Sequence, residues 1–361
     1  MSHQDNQSIT FNYTISGGTG GGGGEGGVNG GGGGPGEGPT VIFGHSIKNK
    51  IPEEILQKWL EFPPDTQDRQ YYLQSLHHPA TGNWLLCDGT FISWKNTPGS
   101  LWIKGISGTG KSVLSSTVIR ELVKTCPEKS AVAYFYFDFS NNRQHLDIMV
   151  QSIIWQLSGQ SPLPYGALRQ LYKTLKNGAT KPQQEDLLGV LENLLSELDW
   201  TYIIIDGIDE CRKTDWKHLI TFIHNLCHPA KHRLHLLFTS QLIQEFETAF
   251  KDITSITLGS KVSNNDIKSF VGSTVRETGN WASENKYARD VTDQIVQKSN
   301  GMFRLAECLL RELNLCNWKD DWDKALTVLP TTLSGIYSRF LTRAIGSLNP
   351  AFIQAIFRWL I

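Results

Sequence analysis

GISGTGKS, residues 105–112, matches the pattern G-x-x-x-x-G-K-[ST]. The residues before it, 101–104, form a short apolar run that favours a strand, and residues 112–125 after it have the apolar spacing of a helix. A glycine-rich loop between a strand and a helix presents backbone N–H groups and the positive end of the helix to a phosphate. An ordinary glycine turn is the alternative, but motif and context together favour a phosphate-binding loop.

The side chains of this loop have separate predicted roles. The Lys111 ammonium would reach the β- and γ-phosphates of a nucleotide, and the Ser112 hydroxyl would bind Mg²⁺. The residues predicted to bind the nucleotide here are Gly105, Ser107, Gly108, Thr109, Gly110, Lys111, Ser112 and Val113.

A second polar segment, Asp206-Gly207-Ile208-Asp209-Glu210, follows the buried strand pattern of residues 201–205. Asp206 at the strand tip is placed to hold Mg²⁺ through water, opposite Ser112. Asp209 and Glu210 lie one turn further, where a carboxylate could orient or deprotonate an attacking water. The alternative for the segment alone is a solvated acidic turn.

A third apolar run, residues 234–238, ends in Thr239-Ser240-Gln241. Polar groups at the tip of a strand beside the phosphate loop could sense a γ-phosphate, as Thr239 or Ser240 would by hydrogen bonding. Capping of the strand end explains the same residues equally well, and the sequence leaves both interpretations open.

Strand and helix patterns alternate through the middle of the chain. Such alternation predicts an α/β fold with a five-stranded parallel sheet, helices on both faces and right-handed crossovers. Ligands bind such sheets at the carboxyl ends of the strands. The five strands are predicted at residues 101–104, 131–137, 201–205, 234–238 and 253–258.

After residue 258 the pattern becomes all-helical and predicts a helical lid domain, with Gly301 as a helix C-cap. Its helices are predicted at residues 265–276, 286–299, 302–313 and 332–345. The apolar residues 347–361 are expected to begin a further domain. The predicted domains are a disordered glycine-rich tail at 1–50, a helical lead-in at 51–98, the nucleotide-binding core at 99–260, the lid at 261–346 and the further domain at 347–361.

Two segments near the N-terminus each allow two interpretations. Residues 8–15 alternate polar and apolar side chains ahead of the glycine-rich stretch 17–38, which indicates a disordered tail or a self-associating strand on a tether. In the lead-in, the aromatic residues Trp84, Phe91 and Trp94 are expected to pack at the sheet edge. A role of Thr81 and Gly82 at a nucleotide is the less favoured alternative.

Composition excludes several classes of protein. The 361-residue chain has a net charge of −1 and no long basic run, so nucleic-acid binding is not expected. No signal peptide or apolar membrane span is visible, which predicts a cytoplasmic protein. The six cysteines lack CxxC spacing and are expected to be free thiols. Zinc binding near Cys227 and His235 is disfavoured because His235 lies within a strand pattern.

Together these segments resemble a known family. The loop at 105–112, the acid run at 206–210, Thr239-Ser240, Gly301-Met302-Phe303 and Leu329-Pro330-Thr331-Thr332-Leu333 look like the NACHT class of STAND P-loop NTPases. Thr81-Gly82-Asn83-Trp84 with Phe91 and Trp94 is similar to the lead-in of the nephrocystin-like variety found in fungal NOD-like receptors. The resemblance covers about residues 52–361.

The resemblance implies a molecular switch that exchanges ADP for ATP with Mg²⁺, hydrolyses ATP slowly at most and self-oligomerises through the NTPase module. A sensor, an effector and a winged-helix domain after residue 346 would accompany it. By the same resemblance the residues from Gly301 to Phe303 lie near the adenine. Gln241 departs from the arginine of many relatives, and Arg304 departs from a usually apolar residue. A nucleotide-locked scaffold and a metabolic kinase or transferase are the competing functions.

Overall fold

The computed structural model describes residues 12–16, 40–44, 51–61, 65–79, 81–127, 129–138, 145–227, 233–278, 285–314 and 319–347. The predictions for residues 8–11, 17–38 and 348–361 lie outside these ranges. The chain divides into one compact unit over Met1–Pro52 and another over Glu53–Ile361.

The first unit contains two strands, β1 (Asn12–Ser16) and β2 (Thr40–Gly44). They pair antiparallel, with Asn12 opposite Gly44 and Ser16 opposite Thr40. The alternating pattern of residues 8–15 thus predicted the region of β1. The strand β2 was not predicted, because residues 40–44 follow the glycine-rich stretch without a clear alternation of polar and apolar side chains.

The second unit is built on a five-stranded parallel sheet in the order β4-β5-β6-β3-β7, which confirms the predicted α/β fold. The strands β5 and β6 are buried almost throughout, as expected for strands covered by helices on both faces. The strand bounds are β3 Gly99–Lys104, β4 Ser130–Tyr136, β5 Trp200–Asp206, β6 Leu234–Ser240 and β7 Ser255–Thr257.

Helices connect and cover these strands. Around the sheet lie α5 Lys111–Thr125, α6 Leu146–Gln160, α7 Gly166–Thr174, α8 Gln184–Glu197, α9 Trp216–Cys227 and α10 Gln244–Ala249. Two short 3₁₀ turns, Ile208–Glu210 and Lys213–Asp215, follow β5. The apolar faces of α5, α6 and α8 are buried in the core, as the spacing of residues 112–125 predicted for α5.

Four helices precede the sheet: α1 Glu53–Leu60, α2 Asp65–Ser75, α3 Asn83–Cys87 and α4 Gly89–Asn96. The aromatic side chains of α4 pack against the sheet as expected, but Trp94 contacts its central strand β6 and not its edge. Phe91 and Trp94 are buried, and the Trp94 indole Nε1 donates to the Leu236 carbonyl of β6 at 3.1 Å. His235 on β6 in turn bonds the Trp94 carbonyl through Nδ1 at 2.7 Å.

In the described residues, the lid has five helices around its own apolar core. Four were predicted from their periodicity, and α14 was missed. One charged group, Glu312, is buried here and makes a bidentate pair with Arg343, with Arg339 as a further partner. The helices are α11 Ser260–Thr278, α12 Asn285–Ser299, α13 Phe303–Leu313, α14 Lys319–Val328 and α15 Leu333–Ser347.

Candidate nucleotide-binding site

The order of the strands brings the three predicted polar segments to one edge of the sheet. β6 lies between β3, which leads into the loop at 105–112, and β5, which leads into the acid run. The strands are parallel, so their carboxyl ends meet at the same edge. The end of β6 therefore separates and contacts the other two segments.

The loop at 105–112 adopts a conformation that depends on its glycines. Gly108 and Gly110 have φ values of 81° and 90°, in the left-handed region that favours glycine. Gly105 has no room for a side chain, because a Cβ there would lie 2.9 Å from the Cβ of Leu258. Within the described parts of the chain, the backbone amides of residues 107–112 donate no hydrogen bond. Donors left in this way at a helix N-terminus form a cradle for an anion.

The Lys111 ammonium lies folded over this cradle. Its Nζ donates to the carbonyl oxygens of Gly105 at 2.8 Å and Ile106 at 3.1 Å. Burial lowers the pKa of Lys111 below its usual 10.5, while Asp209, Asp206 and Glu210 act in the opposite direction. A partly desolvated ammonium beside unpaired amides strongly favours an incoming phosphate.

Asp206 at the tip of β5 is 2% exposed and is fixed by two hydroxyl groups. Its Oδ1 accepts from Ser115 Oγ at 2.6 Å and from Thr239 Oγ1 at 2.8 Å. The Thr239 hydroxyl also accepts from the Gly207 amide at 2.9 Å. Hydroxyl donors on a carboxylate stabilise its charged form. The ends of β5 and β6 and the helix after the loop are thus joined at one carboxylate.

The oxygen donors that remain fit a magnesium ion. Asp206 Oδ2 and Ser112 Oγ make no hydrogen bond with the described residues, and both residues line the same cavity. Carboxylate and hydroxyl oxygens, completed by water and phosphate, are the ligands that Mg²⁺ prefers. Ser112 and Asp206 would hold the ion, whose charge would neutralise part of a bound polyphosphate.

The two acids after Asp206 have different surroundings. Asp209 Oδ1 accepts from the Gln241 amide at 2.9 Å, so this carboxylate caps the end of β6. The Glu210 side chain lies beside Gly207, which has a φ of 68°. Both acids line the cavity.

A cavity of about 400 Å³ joins these groups. Among the predicted residues, Gly105 and Ser240 do not line it. The Ser240 hydroxyl instead accepts from Trp102 Nε1 at 2.9 Å and donates to the Gln241 carbonyl at 2.8 Å. The predicted residues that do line the cavity are Ser107, Gly108, Thr109, Gly110, Lys111, Ser112, Val113, Asp206, Asp209, Glu210 and Thr239.

The lid closes one side of the cavity directly over the loop. The Arg304 amide, in the first turn of α13, donates to the Gly108 carbonyl at 3.1 Å. A Cβ on Gly110 would lie 3.5 Å from the Phe303 ring, and one on Gly108 would lie 3.5 Å from Leu333. Phe303 therefore lies against the phosphate loop, and its ring is also 6.3 Å from the ring of Phe270, so the position of Gly301 to Phe303 near the adenine stays a prediction. Gly301 and Met302 do not line the cavity.

The lead-in and α11 form a further part of the cavity wall. Thr81, Gly82 and Trp84 line it, so the less favoured interpretation of Thr81 and Gly82 matches their observed position. The Gly82 amide donates to Asp266 Oδ2 at 2.6 Å. Burial raises the pKa of Asp266, although the hydrogen bonds from Gly82 and Trp84 oppose the shift. With Phe270, these groups form a mixed apolar and polar recess suited to a planar base.

Two residues of the site were missed in the sequence. Ser115 lies one helical turn after Ser112, and this spacing could have indicated that it faces the same side of α5. Asp266 lies far from every motif in the chain, and only the folded lid brings it to Gly82. No local pattern could have found it.

Comparison with known proteins agrees with this geometry. Residues 80–241 match the model of the family "Nephrocystin 3, N-terminal", a segment that includes the Thr81–Trp84 lead-in and all three polar segments. This match confirms the predicted resemblance to nephrocystin-like NACHT P-loop NTPases. The chain is also 28% identical over 151 residues to the vegetative incompatibility protein HET-E-1 of Podospora anserina. That alignment covers 39% of this chain and 11% of the relative, so the chain spans a small part of that protein.

Solved structures give only distant matches. The Walker-type ATPase PABY2304 of Pyrococcus abyssi has a TM-score of 0.41 and 13% identity, over 78% of this chain and 75% of that chain. DnaA of Aquifex aeolicus, bound to AMPPCP, has a TM-score of 0.36 and 14% identity, over 72% and 67% of the two chains. At these scores the matches support no argument about the NACHT-like module. Among the helices of the described residues, none combines the length and apolarity that crossing a membrane requires.

Proposed function

We propose that the NACHT-like module is an ATP-binding signalling switch that hydrolyses ATP slowly with Mg²⁺. One observation carries this proposal: the phosphate loop, the fixed carboxylate of Asp206 and the first turn of α13 all border one cavity. Its volume of about 400 Å³ lies within the range of small-ligand sites. A ligand in it contacts core and lid together, which is the arrangement that a nucleotide-controlled switch requires.

The residues divide the work of hydrolysis. The free amides of the loop and the Lys111 ammonium would bind the phosphates, and Ser112 with Asp206 would hold Mg²⁺. Glu210 would orient or deprotonate the attacking water, since this residue lines the cavity. Asp209 would keep the end of β6 in place through the Gln241 amide. The absence of a charge on Gln241 is consistent with slow turnover.

The test is to purify the 361-residue protein, denature it and identify the released nucleotide by chromatography. We expect ADP or ATP from the normal protein and none from Lys111→Ala, because that substitution removes the ammonium from the phosphate cradle. Lys124→Ala is the matched control, since Lys124 is exposed at the end of the same helix. A protein that is empty and takes up no ATP with Mg²⁺ would refute the proposal.

A nucleotide-locked scaffold is the second candidate, and the hydrogen bond from the Arg304 amide to the Gly108 carbonyl favours it. Phosphate release by the normal protein and by Glu210→Gln distinguishes the two functions. For a switch, Glu210→Gln should retain ATP and release no phosphate in a single-turnover assay. For a scaffold, normal protein and variant should both show no measurable release, so phosphate release by the normal protein separates the two functions.

The similarity to a vegetative incompatibility protein suggests the setting. We propose a cytoplasmic role in fungal non-self recognition, resembling innate-immune signalling, in which ATP binding promotes self-oligomerisation through the module. The ligand and the effector would be supplied by other domains. Light scattering of the protein with ADP and with a non-hydrolysable ATP analogue tests the assembly step. An identical mass in both states would contradict it.

A further inference from the structure

Arg304 occupies an unusual position at the mouth of the phosphate loop. It is in the first turn of α13, and its Cβ lies 3.0 Å from where a Cβ on Gly108 would be. Its amide holds the Gly108 carbonyl, and the residue lines the cavity. Arg304 and Lys111 therefore line the same cavity, and Arg304 does so where the lid contacts the phosphate loop.

The side chains that line the cavity include more carboxylates than cations. The residues that line it include five carboxylates, and the cations on the same surface are Lys111 and Arg304. A nucleoside triphosphate brings several more negative charges into this space. Mg²⁺ and Lys111 offset part of them, but Gln241 at the tip of β6 offers none. Arg304 is the remaining cationic group in the described wall of the cavity.

Arg304 could exchange its present partners, Glu307 and Tyr337, for a phosphate. Its Nη1 lies 2.9 Å from Glu307 Oε2, and its Nε donates to Tyr337 Oη over a long 3.4 Å. Glu307 is also paired with Arg311 at 2.5 Å from the other side. If Arg304 turned to a phosphate, Glu307 would keep a cationic partner. The exchange would therefore leave no carboxylate unpaired.

We propose that Arg304 binds the terminal phosphate of a nucleoside triphosphate and exchanges Glu307 and Tyr337 for it. This inference rests on the proposed function and extends it to how the site distinguishes a nucleoside triphosphate from a diphosphate. A planar guanidinium binds phosphate oxygens with directed, charge-assisted hydrogen bonds, and a diphosphate offers it no terminal group in the same place. Arg304 would thus supply from the lid the charge that Gln241 does not supply from the core.

The exchange has a consequence for the lid. Tyr337 is on α15, so the contact between Arg304 and Tyr337 joins α13 to α15. A triphosphate would break this contact, whereas a diphosphate would leave it intact. The side chain of Arg304 would then transmit the state of the nucleotide to the last described helix of the lid.

The test compares Arg304→Gln with Arg311→Gln in the full 361-residue protein, freed of bound nucleotide. Arg311 is the matched control because it pairs with the same Glu307 but does not line the cavity. Isothermal titration is done with Mg²⁺ and either ADP or the β,γ-methylene analogue of ATP. We expect Arg304→Gln to lose about tenfold in affinity for the analogue and little for ADP, as for one charge-assisted contact. Arg311→Gln should change neither affinity.

Two further variants test whether the effect depends on the charge of Arg304 and on its competition with Glu307. Arg304→Lys should recover part of the loss, and Glu307→Gln should raise the affinity for the analogue because Arg304 loses its competing partner. Equal affinities of the normal protein and Arg304→Gln would overturn this inference alone, as would equal losses for ADP and the analogue. If the normal protein bound neither nucleotide, the proposed function would fail with it.

Discussion

At the scale of single residues, Thr239 connects the parts of the site most tightly. It is fully buried, and its hydroxyl donates to Asp206 while accepting from the Gly207 amide. Replacing this side chain by valine keeps its shape but removes both hydrogen bonds. Asp206 would then rely on Ser115 alone, and the Gly207 amide would be buried without an acceptor.

We therefore expect Thr239→Val to lower the free energy of unfolding by about 2 kcal/mol, the usual effect of leaving buried polar groups unpaired. Urea denaturation followed by circular dichroism measures it. Thr125→Val is the matched control, because the exposed Thr125 hydroxyl bonds only the Glu121 carbonyl of its own helix. Equal losses in both variants would show that Thr239 does not depend on Asp206.

Sequence alone predicted part of this network. Asp206 was predicted because a carboxylate after a buried strand, downstream of a phosphate loop, has a specific chemical use. The choice between Thr239 and Ser240 stayed open, since adjacent residues in a strand point to opposite faces and the sequence does not say which face the site occupies. The structure places Thr239 toward Asp206 and turns Ser240 toward Trp102.

At the scale of elements, the joint between α12 and α13 fixes the lid over the loop. Gly301 lies in this joint with a φ of 84°, and a Cβ there would lie 2.8 Å from the Ser260 amide nitrogen and 2.9 Å from the Ser260 Cα. A larger residue must therefore move the start of α13 away from the start of α11. Because the Arg304 amide contacts Gly108, such a movement also opens the phosphate cradle.

The expected effect of Gly301→Ala is a loss of about 2 kcal/mol or more of stability, from the strained φ and the contact with backbone atoms together. Gly189→Ala is the control, since Gly189 lies on the exposed face of α8 with open space around it, and alanine should stabilise that helix slightly. Thermal denaturation gives both values. If the Gly301→Ala protein were as stable as the normal one, the joint between α12 and α13 would accommodate a side chain without strain.

Helices differ in how well the sequence predicts them. The lid helices α11, α12, α13 and α15 have apolar stripes that match their buried faces, and their predicted positions are close to those observed. The pattern of α2 is mostly polar, with Leu73 buried in the core, so the helix was missed. Its buried Gln70 donates to the Ser116 carbonyl at 3.1 Å and pairs with the Tyr136 hydroxyl. Polar contacts of this kind leave no periodic signal in a sequence.

At the scale of the whole molecule, the cavity is the place where three distant segments meet. Its walls come from the lead-in around Thr81, from the core loops and from the first turns of α11 and α13. The strand order of the core follows from general rules for α/β folds, but which lid residues cover the loop depends on how the helices pack. Composition and periodicity carry no information on that packing, which is why Arg304 and Asp266 were not placed in the site beforehand.

Because three segments form the cavity, a bound nucleotide should change the thermal denaturation of the protein. A ligand that contacts all three segments stabilises them together, and at a concentration of 100 times its Kd it adds about 2.7 kcal/mol. We expect saturating ADP with Mg²⁺ to raise the Tm by about 5 °C in a single transition that includes core and lid. Differential scanning calorimetry measures the shift and the number of transitions.

Lys111→Ala provides the reference for this experiment, because its cavity keeps all of its walls but lacks the phosphate ammonium, and its Tm should not respond to ADP. Two transitions, of which ADP shifted only one, would mean that the nucleotide binds the core without engaging the lid. The contact between Arg304 and Gly108 would then be a feature of the closed protein and not part of the nucleotide response. A single shifted transition instead requires that occupancy of the phosphate loop be felt across α13, and through α13 in the rest of the lid.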